Sequence, residues 1–454
     1  MKIVLVEADY LDSNGDSHTL YLANAAFGSS SGDSPAHQPY DDYILGGLKI
    51  TSAIDELLLG ATQVRFSNIE IVNLLSDEVL QGNFSDQAVR VYYGDRGSDK
   101  SAFTLIVSAI AQDLITIDEQ RLALQLKSHG DNLTNSLQQI ATGDIGNNKP
   151  IAYGQCVNVS PVVSNKSTFT YSVNETPVSA ITARKAGVSV SKTDNLSQGE
   201  FSLTANPSGM ITCDVTSSIN TAKTIILDVL NRVSITDIDN ASLDTLPNDA
   251  IALYLNNNET ALTSLDYVVN SFGYFWAFKR SGEFFVGNYQ LGQTSTAILY
   301  PDEIKQSGMK VLRTIKPSAD VELTYNLNWT AQVNSLDASV SLTDREKYQA
   351  SGLQVTAENA GILTQFPNAQ TRKAKTLLTE QVPAQAEVDR RAALLNTVRR
   401  IYQIKAFSVP FSFELGQTIT VIYPFLGFTE GKDVVVVSIT DDVLNGLSTI
   451  EVFG

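Results

Sequence analysis

The chain has 454 residues, of which 43% are apolar and 18% charged, so disorder by composition is excluded and two to four folded units are expected. Its formal charge of −17 and pI near 4.6 argue against a general nucleic-acid surface or an anionic membrane surface, since both need clustered Lys and Arg. No apolar segment approaches the ~18 residues needed to span a bilayer, and the opening run to Val6 is too short for a signal-peptide core. The expectation is a protein without a membrane anchor, made soluble in a cytoplasm. In such a compartment Cys156 and Cys213, both in apolar strand-like runs, are expected as buried, inert thiols.

Residues 1–127 carry strand patterning. Lys2–Val6 and Thr19–Leu22 flank Asp12-Ser13-Asn14-Gly15-Asp16, whose Asn-Gly step predicts a hairpin. Ala25–Asp42, rich in Ser, Gly, Pro and Asp, reads as a long mobile loop. Val64–Asn73, Ala88–Tyr93, Phe103–Ile117 and Arg121–Lys127 alternate apolar and polar residues, as in an antiparallel barrel or sandwich.

A boundary is expected in 128–150. It leads into the segment Gly146–Val163, GNNKPIAYGQCVNVSPVV, where Lys149-Pro150 disfavours helix and an apolar strand runs past Tyr153-Gly154. Strands follow at Thr168–Val173, Val178–Ala183, Phe201–Ala205 and Met210–Val215. From Ser217 the period changes to helical, with Ile219, Ala222, Ile225, Ile226, Val229 and Val233 on one face and Ser217 or Ser218 as N-cap. A second helix is predicted with Asn258 as cap, a stripe of Leu262, Leu265, Val268, Val269 and Phe272, and Gly273 as left-handed terminator. Tyr274–Phe278 and Glu283–Val286 flank Lys279-Arg280-Ser281-Gly282 as a hairpin, so Ser217–Tyr289, with strand Ile251–Leu255, makes an α+β unit.

Beyond Pro301 the pattern predicts a strand at Val321–Trp329, helices at Thr343–Ala350 and Pro383–Val398, and strands at Ile401–Val409, Gln417–Tyr423, Val434–Thr440 and Leu447–Phe453. The domain reading is therefore 1–127, a tube-like β domain; 128–216, a β-rich domain; 217–300, an α+β domain; and 301–454, a second barrel-like domain with a helical insertion. The fold class is β-rich α+β, with two antiparallel β-barrel domains around intervening β and α+β units.

Chemistry is sparse. His18, His37 and His129 lie in or beside polar loops and all precede both cysteines, and no zinc or phosphate-loop motif occurs. Asp237–Asp244 places oxygen ligands at alternating positions, but lacks the glycine and the glutamate of a calcium loop, so a turn and helix cap is the simpler reading. Tyr274, Phe275, Trp276 and Phe278 are candidates for sugar stacking, although on a hairpin at least half must face the core. Arg390, Arg391, Arg399 and Arg400 bracket a helix and read as a solvated face or a subunit contact. No catalytic, cofactor-binding or metal residue is assigned, and no cofactor is expected.

Three blocks resemble the tail-tip or baseplate hub proteins of tailed bacteriophages. They are Lys149-Pro150 through Tyr153-Gly154, Asn158-Val159 and Pro161 with Thr170–Val173 and Pro177-Val178; then FSLTANPSGMITCDV (Phe201–Val215); then FGYFWAFKRSGEFFVG (Phe272–Gly287), with YNLNWT (Tyr325–Thr330) and LGQTITVIYPFLG (Leu415–Gly427). The resemblance implies a non-catalytic ring, usually a homotrimer, whose two tube-like barrels per chain imitate a six-fold ring and adapt tube symmetry to three-fold tip parts. It implies as partners a distal tail or tail tube protein, a tape measure protein, and tail fibre or receptor-binding proteins. DNA would pass through the lumen without specific binding, and assembly would take place in the host cytoplasm before incorporation into the virion. Ending at Gly454, the chain is expected to lack the fibre or lysozyme domain of larger relatives. The alternatives are a receptor- or carbohydrate-binding tip protein using Ala25–Asp42 or the Tyr274–Phe278 hairpin, a cell-wall hydrolase, and the equivalent part of a gene-transfer particle.

Overall fold

The computed structural model describes residues 2–54, 62–138, 140, 148–207, 209–288, 290–359, 361–407 and 412–454. Gly146, Asn147, Tyr289, Ser408 and Val409, parts of predicted elements, lie outside the described residues.

The Asn-Gly hairpin forms as its local chemistry dictates. Strands Lys2–Leu11 and Ser17–Ala23 pair in antiparallel register from Leu5↔Ala23 to Leu11↔Ser17. Asp12 Oδ1 accepts from the amides of Asn14 and Asp16 at 2.8 and 2.9 Å, and Gly15 takes φ +87°. This hairpin belongs to a nine-stranded sheet, mostly antiparallel, that also holds Ala88–Asp95, Thr104–Asp118, Arg121–Lys127 and Ile69–Val72. Val4, Val6, Ala8, Leu22, Val89 and Val91 alternate onto one buried face.

Ala25–Asp42 is not a mobile loop. It contains strands Phe27–Gly28 and Pro39–Asp42, and covers a second face made by Ile3, Leu5, Ala23, Tyr40 and Phe103. Tyr40 donates its hydroxyl to Glu7 at 2.6 Å, and the Asp33 carboxylate accepts from the amides of Ser30, Lys100 and Ser101. These ties reach residues far away in sequence, which composition does not reveal.

Strand Pro39–Asp42 pairs with Ser17–Ala23 near one end of the sheet, whereas Ile44–Gly47 pairs with Ile69–Val72 at the other end. Only Tyr43 separates the two segments, so chain continuity forces the sheet to curl until its ends meet.

The last sheet repeats this arrangement. Its path runs Ala297–Leu299, Thr418–Tyr423, Phe428–Asp442, Leu447–Phe453, Arg399–Ala406, Ile304–Ile315. The first and last of these strands are joined through residues 300–303, where Glu303 accepts from the Tyr300 amide at 2.8 Å. Neither sheet is closed into a barrel by hydrogen bonding among the described residues.

The two sheets exchange elements. The hairpin Lys49–Ile54 and Thr62–Phe66 leaves the first region and adds to Phe428–Asp442, in register from Ser438↔Ala53 to Asp442↔Lys49. In return Val443, 2% exposed, and Leu444 pack into the first core beside Ile44, Leu48 and Ile50.

Between the sheets, the strands from Gln155–Val159 to Ile211–Thr216 enclose a core of Cys156, Val159, Tyr171, Phe201, Cys213 and Val215. Helix Ala222–Arg232 starts later than predicted. Its cap is Thr221, reciprocally bonded with Thr224, because Ser217 and Ile219 are drawn into backbone bonds with Gly154. Helix Ala261–Asn270 is capped by Thr260 rather than Asn258, which sits at φ +58° outside it, and Leu262 faces outward. Gly273 does take the left-handed conformation, at φ +65°. Helix Ala261–Asn270 packs on the hairpin Tyr274–Phe278/Phe284–Asn288 and on helix Ala222–Arg232, and this core is continuous with that of the last sheet.

Candidate functional site

The residues singled out for chemistry do not converge. His18 lies near the start of strand Ser17–Ala23, beside the Asp12–Asp16 turn and 3.3 Å from Asp12. His37 sits at φ +53° in the segment before Pro39, and His129 opens a short 3-10 turn with its ring 3.4 Å from Ser108 Oγ. Cys156 and Cys213 are fully buried and unbridged, and burial pushes both thiols well above their ordinary range, away from the thiolate form. Asp239 caps the short helix Asn240–Leu243 by accepting from Ser242, and its carboxylate pairs with Lys279 at 3.0 Å. That is the turn-and-cap arrangement.

Two surface readings are corrected. The strand Tyr274–Phe278 is buried on both faces, with Trp276 5% exposed and Trp276 Nε1 donating to Asp266 at 2.7 Å, so it offers no stacking platform. The helix expected at Pro383–Val398 runs Gln381–Leu394, and Arg399 and Arg400 lie in a strand. Arg391 is not solvated. It is 3% exposed, with Nε bonding Glu387 at 2.6 Å while its guanidinium also reaches the Asn270 carbonyl. Arg390 pairs with the same carboxylate at 2.7 Å, so one acid neutralises two guanidinium groups of its own helix.

A cleft of about 690 Å³ lies between Thr314, Lys316, Phe366, Arg372 and Val398, and none of its lining residues is acidic. A glycosidase pair, which needs two facing carboxylates, is not built there. No helix among the described residues is long and apolar enough to cross a membrane.

What does converge is structural. At the tip of the Tyr274–Phe278 hairpin the Arg280 carbonyl accepts from the Ser108 amide of the first sheet at 2.7 Å. The Arg280 guanidinium reaches the Phe413 carbonyl at 2.9 Å and Asp441 of the last sheet at 3.2 Å. Gly282, at φ +96°, lets His129 approach: a Cβ there would lie 3.0 Å from its ring. One four-residue turn therefore joins both curled sheets to the central unit. The sequence marked this turn as a hairpin but not as a junction, because its partners lie more than a hundred residues away.

Three solved tail proteins, two of them from prophages, are similar to this chain. A tail protein from Neisseria meningitidis matches at 9% identity, over 100% of this chain and 96% of its own, with a TM-score of 0.43. The 43 kDa tail protein of prophage MuSo2 from Shewanella oneidensis matches at 10% identity, over 100% and 98%, with a TM-score of 0.44. A prophage tail protein from Listeria monocytogenes matches at 8% identity, over 100% and 94%, also at 0.44. These are distant likenesses of outline, and no function passes across them by themselves. No protein-family model and no curated protein matches the sequence.

Proposed function

We propose that the chain is a structural component of a phage tail tip, a hub ring that closes the distal end of the tail tube. The observation that carries this reading is the doubled architecture. One chain holds two large curled sheets, each with its terminal strands brought together by a short connection, and the two are locked by exchange of a hairpin and a turn. Three copies would present six such units, which is the arithmetic needed to meet a six-fold tube while offering three-fold symmetry below.

Each curled sheet acts as a tube-like barrel in this reading. A closed ring needs heterologous contacts, one face of each subunit meeting a different face of the next. The partners are further copies of the chain, the distal tail or tail tube protein above, the tape measure protein within, and fibre or receptor-binding proteins below. The role is non-catalytic and the location is the virion tail tip. A net charge of −17 suits a lumen through which DNA slides without sticking; a ring lined by Lys and Arg would remove that part of the reading. The carbohydrate-binding alternative loses one of its two candidate surfaces with the burial of Tyr274–Phe278.

The test is the mass and symmetry of the particle-bound protein, by native mass spectrometry of released tips and by imaging of intact tails. Three times the 49.2 kDa chain mass with three-fold symmetry is expected. A monomer in the particle would overturn the proposal.

A further inference from the structure

The segment 326–352 leaves the strand Asp320–Tyr325 and returns as Leu353–Glu358, with Tyr325 and Leu353 paired at its base. Between these points it crosses the outer face of the sheet formed by Gln155–Val159, Ile211–Thr216 and Ala180–Lys185. The strap is fastened by apolar contacts, with Trp329 packed on both neighbouring cores and Leu336 and Val340 lying over Gly187, and by polar ones. Trp329 donates its amide to the Val157 carbonyl at 3.1 Å, and Asp337 donates to Ala186 at 2.9 Å. Asn158 Nδ2 reaches Asn328 Oδ1 and the Thr330 carbonyl at 2.9 and 2.6 Å. Arg184 grips Asp214 through both nitrogens and lies over the Tyr348 ring at 5.2 Å.

Beneath the strap the polar groups are incompletely matched. Asn158, 0% exposed, has its amide nitrogen fixed by two oxygens, which leaves Oδ1 pointing elsewhere with no protein partner. Thr212 is also 0% exposed and lies on the Asp214 face of its strand, since Ile211, Cys213 and Val215 face the core; its Oγ1 has no partner. Gln332, whose amide bonds the Tyr348 carbonyl, has neither Oε1 nor Nε2 paired, and Trp329 Nε1 is likewise unmatched. Five of the seven buried side-chain atoms without a partner among the described residues thus belong to one seam. Buried polar atoms are almost always satisfied, and a site with several donors and acceptors in reach is where internal water binds.

We propose that this seam is a hydration site in which buried water satisfies the unpartnered groups of Asn158, Thr212 and Gln332.

Native-state hydrogen exchange on the full chain tests this. The amides of Trp329 and Asp337, which bond the Val157 and Ala186 carbonyls, report on the seam. The variants Gln332→Met and Thr212→Val distinguish a hydrated seam from a merely mismatched one. Loss of a water-bridging group should speed seam exchange by roughly 2- to 10-fold in each variant. Unchanged or slower exchange in both would mean that an unsatisfied group had been removed, and the hydration site would fall.

Discussion

Arg280 and Asp441 form an ion pair at 3.2 Å between the central hairpin and the last sheet, with the carboxylate 2% exposed. Asp441 Oδ1 also accepts from Ser448 Oγ at 2.5 Å, so the acid is oriented before it meets the guanidinium. Removing one member of such a buried pair leaves the other uncompensated. Asp441→Ala is expected to cost roughly 3–5 kcal/mol in denaturant unfolding, and the double variant Arg280→Met/Asp441→Leu less than the sum of its single changes. Strict additivity would show that the pair does not couple the two elements.

Gly154 lies between strands Ile151–Tyr153 and Gln155–Val159. It takes φ +67°, and a Cβ there would lie 2.0 Å from the Ile251 carbonyl oxygen. Its amide donates to Ile219 and its carbonyl accepts from Ser217, so the strand cannot move aside freely. Gly154→Ala is expected to destabilise the protein by about 3 kcal/mol or more through left-handed strain plus the clash. Equilibrium unfolding reads this directly, and a shift below ~1 kcal/mol would contradict the close approach.

Acid should release the covering segment Ala25–Asp42. Burial alone would raise the Glu7 carboxyl, but Lys100 at 2.5 Å and the Tyr40 hydroxyl outweigh it and hold the group below its ordinary range. Asp9 is lowered likewise: burial is overcome by Arg90 and Thr19. At Asp33 the desolvation is outweighed by amides of Ser101, Ser30 and Lys100, which hold it at about 2. A depressed carboxyl contributes stability that is complete above its unfolded value near ~4 and is lost as pH falls through its folded value. Protection of 25–42 against an acid-active protease should therefore persist at pH 5 and fail progressively below ~4. Loss of protection already at pH 6 would point to a different set of ties.

Both cysteines should be silent to a thiol reagent in the native protein and react together on unfolding, because burial keeps them protonated and out of reach. Rapid native modification of either would contradict its packing.

Trp276→Ala should act on stability and not on glycan binding. Truncating a buried tryptophan is expected to cost roughly 3–5 kcal/mol. A variant of unchanged stability that lost binding on a glycan array would reinstate the aromatic hairpin as a surface site.

Where structure follows from neighbouring residues, the sequence was readable. Asn14-Gly15, Lys279–Gly282 and Gly273 carry their own backbone chemistry, and each forms the turn or terminator expected. The caps failed for a non-local reason: residues 217–220 resemble a helix start, but Gly154 and Ile251 claim their backbone groups and delay it to Thr221. Ala25–Asp42 was misjudged because its order comes from Glu7, Lys100 and Ser101. Arg391 was misjudged because a charged residue in a polar helix gives no sign of the Asn270 carbonyl and Glu387 that bury it. The junction at Arg280 was invisible because its partners, Ser108 and Asp441, meet only in three dimensions.

The hairpin that Lys49–Phe66 lends to the last sheet also sets a clock. Thr51 and Thr440, 3.0 Å apart, are separated by 389 positions in the chain. At ribosomal speeds of ~5–20 residues per second, the lent hairpin waits from about twenty seconds to over a minute before its neighbouring strand exists. During that interval its outer edge is bare backbone, open to the wrong strand. Expression temperature, chaperone supply and synonymous codons between the two segments become levers on yield, although none of them alters the finished molecule.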